Sequence, residues 1–245
     1  MKRVDAVHAP TEARPLYAQV KALIIQRLLQ GTWRPGEALP NEFQLAADFG
    51  VSQGTVRKAL DELAQENIVV RYQGKGTFVA EHTPHRSLFH FFRLVDRDGS
   101  RHTPQSQWLD CGRRTATPLE CERLDLTEGA EVFFIRRLRS LSDVPALVET
   151  IVVNSSLLPD LDREGRGLNT LYDFYQSRYG VMVVKSSEFL SAVAATKEEA
   201  GILGVTPGHP LLQIDRSAWG LDGRIVEWRL SRCLTDRFRY FTELM

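Results

Sequence analysis

The fold of the first part of the chain is decided by residues 51–79, which read VSQGTVRKALDELAQENIVVRYQGKGTFV. Ser52 or Thr55 can cap a helix here. The apolar residues of this helix recur at helical spacing, at Val56, Leu60 and Leu63. Two β-rich runs follow, residues 68–72 and 77–79, and they flank a glycine-rich, cationic segment. The stretch therefore predicts a helix and then a β-hairpin with a positively charged tip.

Two further helices are predicted upstream of this stretch. From Leu16 onward, apolar residues at helical spacing predict the first. Asn41 can cap the second over residues 42–49, with Gln44 at the position of a capping box, and Gly50 ends it. Two helices joined by a tight, glycine-containing turn form a helix-turn-helix. With the hairpin added, residues 1–80 are predicted to form a winged helix.

Composition limits the protein class without identifying a function. The 245 residues contain 31 Lys and Arg against 31 Asp and Glu and are 43% hydrophobic, which is typical of a globular chain with one large or two smaller cores. Apolar runs are far shorter than the ~20 residues that cross a bilayer, and the polar start lacks the apolar segment of a signal peptide. We therefore expect a cytoplasmic protein. Three cysteines without a Cys-x-x-Cys pair argue against disulfides and zinc, and no cofactor is expected.

Residues 15–79 contain the motifs Pro15-Leu16-Tyr17, Pro35-Gly36, Leu39-Pro40-Asn41-Glu42, Thr55-Val56-Arg57 and Gly74-Lys75-Gly76-Thr77-Phe78-Val79. With these motifs the segment resembles the GntR family of bacterial transcription regulators. The resemblance implies a DNA-binding domain whose third helix reads bases and whose wing tip approaches the backbone or the minor groove. The candidate DNA-binding residues are Asn41, Ser52, Gln53, Thr55, Arg57, Gly74 and Lys75.

Three residues in this part depart from the family pattern, and two leave an alternative open. Gln53 stands where the family usually has arginine, and glutamine prefers adenine where arginine prefers guanine. Its alternative is a solvated surface glutamine, and the alternative for Arg57 is a salt bridge within the domain. Asn41 replaces the usual serine and can still cap a helix. Asn67 replaces the usual glycine.

The polar, proline-containing stretch 81–87 predicts a linker between domains at residues 1–80 and 88–245. The second domain contains an internal duplication at an offset of 79 residues, with nine identities in the 28 positions from 116 to 143. Thr117 matches Thr196, and Arg137 matches Arg216. Each half combines a capped helix, a strand, a turn and a returning strand. This pattern predicts an α+β domain with a mostly antiparallel sheet.

Motifs of the second domain include Arg137-Leu138-Arg139, Leu171-Tyr172 and Val226-Glu227. With these motifs the chain from about Leu88 to Phe241 resembles the UTRA effector-binding domain of the HutC branch of GntR regulators, whose fold is like that of chorismate lyase. The resemblance implies a pocket for a small molecule. The candidate effector-binding residues are His90, Arg137, Arg139, Glu149, Thr170, Tyr172 and Glu227.

Strand alternation places Arg137 and Arg139 on one face of the sheet, where both can hold a phosphate or a carboxylate. A helix that begins at Thr170 would add free N–H donors. The alternative is that Arg137 and Glu149 only form a structural ion pair across the hairpin. The bulky residues 90–92 either enlarge the apolar part of the pocket or fill the core, so a sugar phosphate is not assumed.

The chain is therefore predicted to be a DNA-binding transcriptional regulator, namely a repressor controlled by a small, anionic metabolite. Because one recognition helix reads few bases, we expect a homodimer on a palindromic operator. The rival predictions are a chorismate-lyase-like enzyme and a DNA-binding scaffold without an effector. His82-x-x-His85 lacks acidic or cysteine partners at ligand spacing, so no metal site is predicted. No catalytic residue is predicted either.

Overall fold

The computed structural model describes residues 14–83 and 91–243. The chain divides into two compact units, one ending at Ala80 and the other starting at Glu81. Within the described ranges, no helix is long and apolar enough to cross a membrane. His90 and residues 84–87 of the predicted linker lie outside the described residues. His82, which the linker prediction also includes, is buried in the second unit, so this position packs as part of a domain.

From residue 14 onward, the first unit contains three helices that share one core. They are α1 (Leu16–Leu29), α2 (Glu42–Phe49) and α3 (Gln53–Gln65). α1 contributes Val20 and Ile24 to the interior. The apolar residues predicted to face inward from α3 are buried: Val56, Leu60 and Leu63.

Polar caps fix where α2 and α3 begin. The Asn41 side chain accepts a hydrogen bond from the N–H of Gln44, whose side chain accepts one from the Asn41 N–H, so the predicted capping box forms. At α3 the cap is Ser52, which accepts from the N–H of Thr55. Gly50 ends α2 at a φ of 65°, a left-handed conformation that glycine adopts without steric cost.

A β-hairpin completes the first unit. β1 (Val69–Tyr72) pairs antiparallel with β2 (Gly76–Val79). The turn between them places Gly74 at a φ of 73°. Asn67 lies before the hairpin at a φ of 59°, which explains how asparagine can replace the family's glycine, since it tolerates this region better than most residues. The winged-helix prediction is confirmed.

The second unit is built around a six-stranded antiparallel sheet. In spatial order its strands are β4 (Gln105–Thr115), β5 (Glu131–Leu141), β6 (Val144–Asn154), β9 (Ile225–Leu234), β8 (Pro210–Gly220) and β7 (Val183–Ala194). A separate pair joins β3 (Leu94–Asp96) to β10 (Phe238–Tyr240). Within the described residues, the helices of this unit are α4 (Pro118–Leu124), α5 (Leu161–Glu164), α6 (Leu171–Tyr179) and α7 (Lys197–Leu203). The predicted α+β class with a mostly antiparallel sheet is confirmed.

The internal duplication explains the strand order. One half is β4-α4-β5-β6, the other is β7-α7-β8-β9, and the halves meet where β6 pairs with β9. The matched threonines Thr117 and Thr196 cap α4 and α7, each in a capping box with the glutamate three residues on.

The two faces of the sheet carry different helices. α6 packs through Leu171 and Tyr175 against Ile135 and Ile151 on one face. α4 and α7 cover the other face, where Leu124 meets Val152 and Leu203 meets Val148. Because side chains alternate along a strand, the odd-numbered residues of β5 around position 137 point toward the α6 side.

Candidate functional site

Glu42 is the centre of a polar cluster on the first unit. Its carboxylate accepts hydrogen bonds from Arg57 Nη2 at 2.9 Å, Gln53 Nε2 at 3.2 Å and Arg71 Nη2 at 3.1 Å. Hydrogen bonding from Arg57 is the main cause that holds the pKa of Glu42 below its ordinary value. The cluster ties the first turn of α2 to the exposed start of α3 and to β1. It therefore fixes the orientation of the side chains that the sequence predicted to meet DNA.

The alternative considered for Arg57, a salt bridge within the domain, is present in the structure. The Arg57 side chain nevertheless remains 58% exposed. Gln53 is held by Glu42 and is not simply solvated. An exposed guanidinium that one carboxylate orients is able to form a further pair of hydrogen bonds with a base edge. The salt bridge and a role in DNA binding are thus compatible.

The remaining predicted DNA-binding residues occupy helix caps and the hairpin turn. Asn41 and Ser52 use their side-chain oxygens to cap α2 and α3, and the Ser52 and Thr55 hydroxyls lie 2.9 Å apart. Gly74 and Lys75 form the turn between β1 and β2. A surface groove joins these elements, and its lining includes Asn41, Glu42, Phe43, Gln53, Gly74 and Lys75.

A pocket in the second unit lies between the sheet and the N-terminus of α6. Its cationic lining is Arg137, Arg139, Arg216 and Arg229. The rest of the lining comprises Phe91, Phe92, Thr103, Pro104, Asn169, Thr170, Leu171 and Tyr172. The cavity is about 50 Å³, which is room for a few water molecules. Because α6 begins beside the cavity, the N–H groups of its first turn, which have no partner within the helix and no cap from the Thr170 side chain, add positive potential there.

Glu149 holds three of these arginines from beneath the pocket. Its carboxylate lies 2.6 Å from Arg137 Nε, 3.4 Å from Arg139 Nη1 and 3.4 Å from Arg229 Nη1. Burial alone would raise the pKa of the Glu149 carboxyl, but attraction from the three guanidinium groups outweighs it and holds the pKa well below its ordinary value. Glu149 therefore stays ionised and positions the cationic wall.

A second carboxylate, Glu227, positions the other side of the pocket. It accepts hydrogen bonds from Tyr172 at 3.0 Å, Tyr175 at 3.1 Å and Arg229 Nε at 2.9 Å. Burial, followed by the negative charge of Glu227, raises the pKa of the Tyr172 hydroxyl. This hydroxyl therefore stays protonated and acts as a hydrogen-bond donor. Glu227 is completely buried and supports the pocket from behind.

Arg139 is the least satisfied of the four arginines. It is buried, and its Nε has no hydrogen-bond partner among the described residues. Burial and repulsion from Arg137 lower the pKa of Arg139 to about 9, so it remains cationic at neutral pH. An arriving anion would supply the hydrogen bonds and the negative charge that this side chain lacks.

The structure brings together five of the seven candidate effector-binding residues around one cavity. Arg137, Arg139, Thr170 and Tyr172 line it, and Glu149 holds the arginines. Glu227 accepts a hydrogen bond from the lining residue Tyr172 and so lies one residue behind the lining of the cavity. His90 lies outside the described residues. Arg137 pairs with Glu149 across the hairpin and also lines the cavity, so the ion pair is present and a role of Arg137 in ligand binding stays a prediction.

Sequence reasoning missed Arg216 and Arg229 as lining residues, although both carried a signal. Arg216 is the counterpart of Arg137 in the duplication. Arg229 follows Glu227 by two positions, which places both on the same face of β9. Arg216 is held by Glu188, with Nε and Oε1 2.5 Å apart.

Comparison with protein families matches both units. Residues 16–79 match the gntR family of bacterial regulatory proteins, and residues 99–239 match the UTRA domain. The second match alone covers more than half of the chain. The chain belongs to the GntR family. Its UTRA domain and its similarity to histidine utilization repressors make it a regulator of the HutC type.

Curated relatives of this GntR regulator are DNA-binding repressors. The histidine utilization repressor of Pseudomonas aeruginosa is 31% identical over 213 residues, or 86% of this chain and 84% of the relative. The repressor NagR of Bacillus subtilis is 29% identical over 227 residues, or 92% and 93% of the two chains. The regulator described here is likewise a DNA-binding transcriptional regulator.

Solved structures agree with this assignment. The ligand-binding domain of a GntR-family regulator from Bordetella bronchiseptica has a TM-score of 0.58 and 32% identity, covering 64% of this chain and 98% of that one. YydK from Bacillus subtilis has a TM-score of 0.58 at 21% identity, covering 94% and 100%, and this likeness supports the fold.

Proposed function

We propose that this regulator is a cytoplasmic homodimer that binds a palindromic operator and that a small anionic metabolite, bound among the four arginines, controls the binding. The observation that carries the proposal is a built but unsatisfied cationic pocket in the same chain as a DNA-binding winged helix. Binding of a ligand to such a pocket is coupled to DNA binding if the ligand favours one of two conformations. Gene control by a metabolite follows from that coupling.

Charge supports an anionic ligand. The four lining arginines face three partner carboxylates, those of Glu149, Glu188 and Glu227, so one positive charge is in excess. Further donors are the N–H groups at the start of α6 and the Nε of Arg139, for which the described ranges provide no partner. A carboxylate or a phosphate matches these donors in charge and geometry.

Phe91 and Phe92 give the pocket an apolar wall, and the Arg139 guanidinium lies 5.4 Å from the centre of the Phe92 ring. We infer a ligand that combines one anionic group with a compact apolar or planar part. Relatives named for histidine utilization make amino-acid-derived carboxylates the first class to test. Relatives named for fructoselysine utilization and for mannosyl-D-glycerate transport and metabolism make sugar derivatives that carry an anionic group the second class to test.

For DNA, we propose that Arg57 and Gln53 read base edges from α3 while Lys75 meets phosphate at the wing. Arg57 suits the two acceptors of guanine, and Gln53 suits adenine. Asn41, Ser52 and Thr55 hold the helix starts at the DNA surface, and their hydroxyl, amide and backbone N–H groups suit phosphate contacts.

The homodimer has a candidate surface along β7. This edge strand exposes Phe189 and Leu190, and residues 189–194 carry no charge. The opposite edge, β4, carries charged side chains and a bulge between Trp108 and Asp110, features that oppose strand pairing. Antiparallel pairing of β7 with its copy is two-fold symmetric, as a palindromic operator requires. Analytical sedimentation of the Phe189→Lys variant tests this surface. The matched control is Leu119→Lys, a substitution at an exposed apolar residue of α4.

The decisive experiment is a thermal-shift screen of the purified protein with small carboxylates and phosphates, followed by analysis of ligand recovery and by operator titration. A ligand that raises Tm, is recovered unchanged and alters operator affinity supports the proposal. Consumption of the ligand would support the chorismate-lyase-like enzyme, and a protein that binds operator but responds to no anion would support the scaffold.

A further inference from the structure

Phe43 is exposed in a way that folding does not explain. Its exposed fraction is 71%, the largest among the exposed large apolar side chains that the structure describes. α2 uses Leu45 and Ala46 for the core, so Phe43 lies on its opposite, outer side. Leaving a phenyl ring in water forgoes its burial energy.

The surroundings of Phe43 are those of the proposed DNA surface. It follows Glu42, the residue that holds Arg57 and Gln53 at the start of α3. It also lines the groove that Gln53 and the wing residue Lys75 share. A partner seated in this groove to meet Gln53 therefore comes within reach of the phenyl ring.

We propose that Phe43 reads the 5-methyl group of a thymine in the operator and so is a specificity-determining residue. This inference depends on the proposed DNA-binding function. A phenyl ring cannot donate or accept the hydrogen bonds by which base edges are usually distinguished. The thymine methyl is the apolar group that base pairs present in the major groove, and apolar side chains recognise it. Phe43 thus adds an apolar contact next to the polar contacts of Gln53 and Arg57.

The first part of the test removes only the methyl group. The full-length protein selects its operator from a library of random duplexes, and each thymine of that operator is then replaced singly by deoxyuridine. Hydrogen-bonding groups are unchanged by this replacement. Affinity is measured by fluorescence anisotropy at one fixed salt concentration, because phosphate contacts make affinity strongly dependent on salt. We expect the wild type to lose affinity about four-fold at one thymine of each half-site, the effect of roughly one buried methyl group.

The second part tests whether Phe43 is the reader. Phe43→Ala should bind the thymine operator about four-fold more weakly and should no longer respond to deoxyuridine at that position. Its Tm should match the wild type, because no core contact is removed. Leu119→Ala, which shortens another exposed apolar side chain, on α4 of the second unit, is the matched control and should bind both operators like the wild type.

Two results would overturn the inference while leaving the proposed function intact. In one, Phe43→Ala keeps the full response to deoxyuridine, so another residue reads the methyl group. In the other, Phe43→Ala weakens binding equally on the operator and on unrelated DNA, which is the behaviour of a backbone contact or a wedge. A wild type that selects no sequence at all would instead refute the proposed function.

Discussion

The backbone N–H of His82 donates a buried hydrogen bond to Oε1 of Gln176, 2.7 Å away. Gln176 lies on α6, the helix whose N-terminus lines the arginine pocket. His82 follows the end of the first unit by two residues, and its ring lies edge-on to Tyr172, a pocket residue, with ring centres 6.0 Å apart. We infer that a ligand that shifts α6 would also displace His82, two residues after the end of the first unit.

We predict that Gln176→Leu weakens the response of DNA binding to the effector. The substitution leaves the His82 N–H without this partner and should lower the free energy of unfolding by about 1–3 kcal/mol. Operator affinity without ligand should stay near the wild-type value, while the ratio of affinities with and without ligand approaches one. Anisotropy titration with the anion found in the thermal-shift screen measures this ratio.

Tyr179→Phe is the control for that experiment. It removes a different hydrogen bond of α6, the one that the Tyr179 hydroxyl donates to the carbonyl of Pro159 at 2.5 Å, and leaves the bond between His82 and Gln176 in place. This variant should respond normally to the effector. An unchanged response in Gln176→Leu would show that the His82 contact does not transmit the signal.

Local sequence patterns were sufficient for much of the fold because the relevant forces are local. The Asn41 and Ser52 caps, the hairpin around Gly74 and the capping boxes at Thr117 and Thr196 each involve residues within a few positions. The duplication also implied a pair of equivalent hairpins. What it did not show was that the halves join through β6 and β9, since this pairing joins residues about 80 positions apart.

The site was predicted less completely for the same reason. Arg137, Arg139 and Glu149 were found because neighbouring strands of one hairpin carry them. Arg229 reaches Glu149 only across the seam between the two halves, so spacing along the chain could not reveal it. Glu42 was also missed, because its three partners come from α3 and β1.

We predict that Arg57→Ala lowers specific operator affinity by about 10- to 100-fold and leaves Tm nearly unchanged. The exposed guanidinium is replaced at little cost to folding, whereas a bidentate contact with guanine is lost. Lys58→Ala is the control on the same helix, because Lys58 lies 3.9 Å from the Tyr17 ring and faces α1. If Arg57→Ala retains wild-type affinity and sequence preference, Arg57 serves only the ion pair with Glu42.

We predict that Gln53→Arg changes one base position in each operator half-site from adenine to guanine. Glutamine pairs with N6 and N7 of adenine, and arginine pairs with O6 and N7 of guanine. Sequencing of duplexes selected from a random library by each protein measures the preference. A wild type that already selects guanine there would refute the role assigned to Gln53.

We predict that Glu149→Gln lowers the free energy of unfolding at pH 7 by about 3–5 kcal/mol, because three buried arginines lose their shared carboxylate. The folded pKa of Glu149 lies below its ordinary value of 4.5, so its contribution is complete above that value and is lost as pH falls below it. The difference in stability between wild type and variant should therefore shrink as pH falls below about 4.5. Urea unfolding at several pH values checks this, and a difference independent of pH would contradict it.

We predict that Arg139→Met abolishes the effector response while the protein stays folded and bound to its operator. The buried Nε of Arg139 has no hydrogen-bond partner in the described part of the chain, and the pKa of Arg139 is lowered, so its charge is poorly compensated before ligand binds. Replacement by an apolar side chain of similar length should leave Tm unchanged or raise it. Ligand affinity should fall by about 10- to 100-fold, since one charge-assisted hydrogen bond is lost.

Arg137→Ala provides the contrast, because it breaks the 2.6 Å pair with Glu149 and should lower Tm as well as ligand affinity. Thermal melts and operator titrations are carried out on both variants. An Arg139→Met protein that still binds the anion tightly, and whose operator affinity still changes with the anion as in the wild type, would exclude Arg139 from the ligand site.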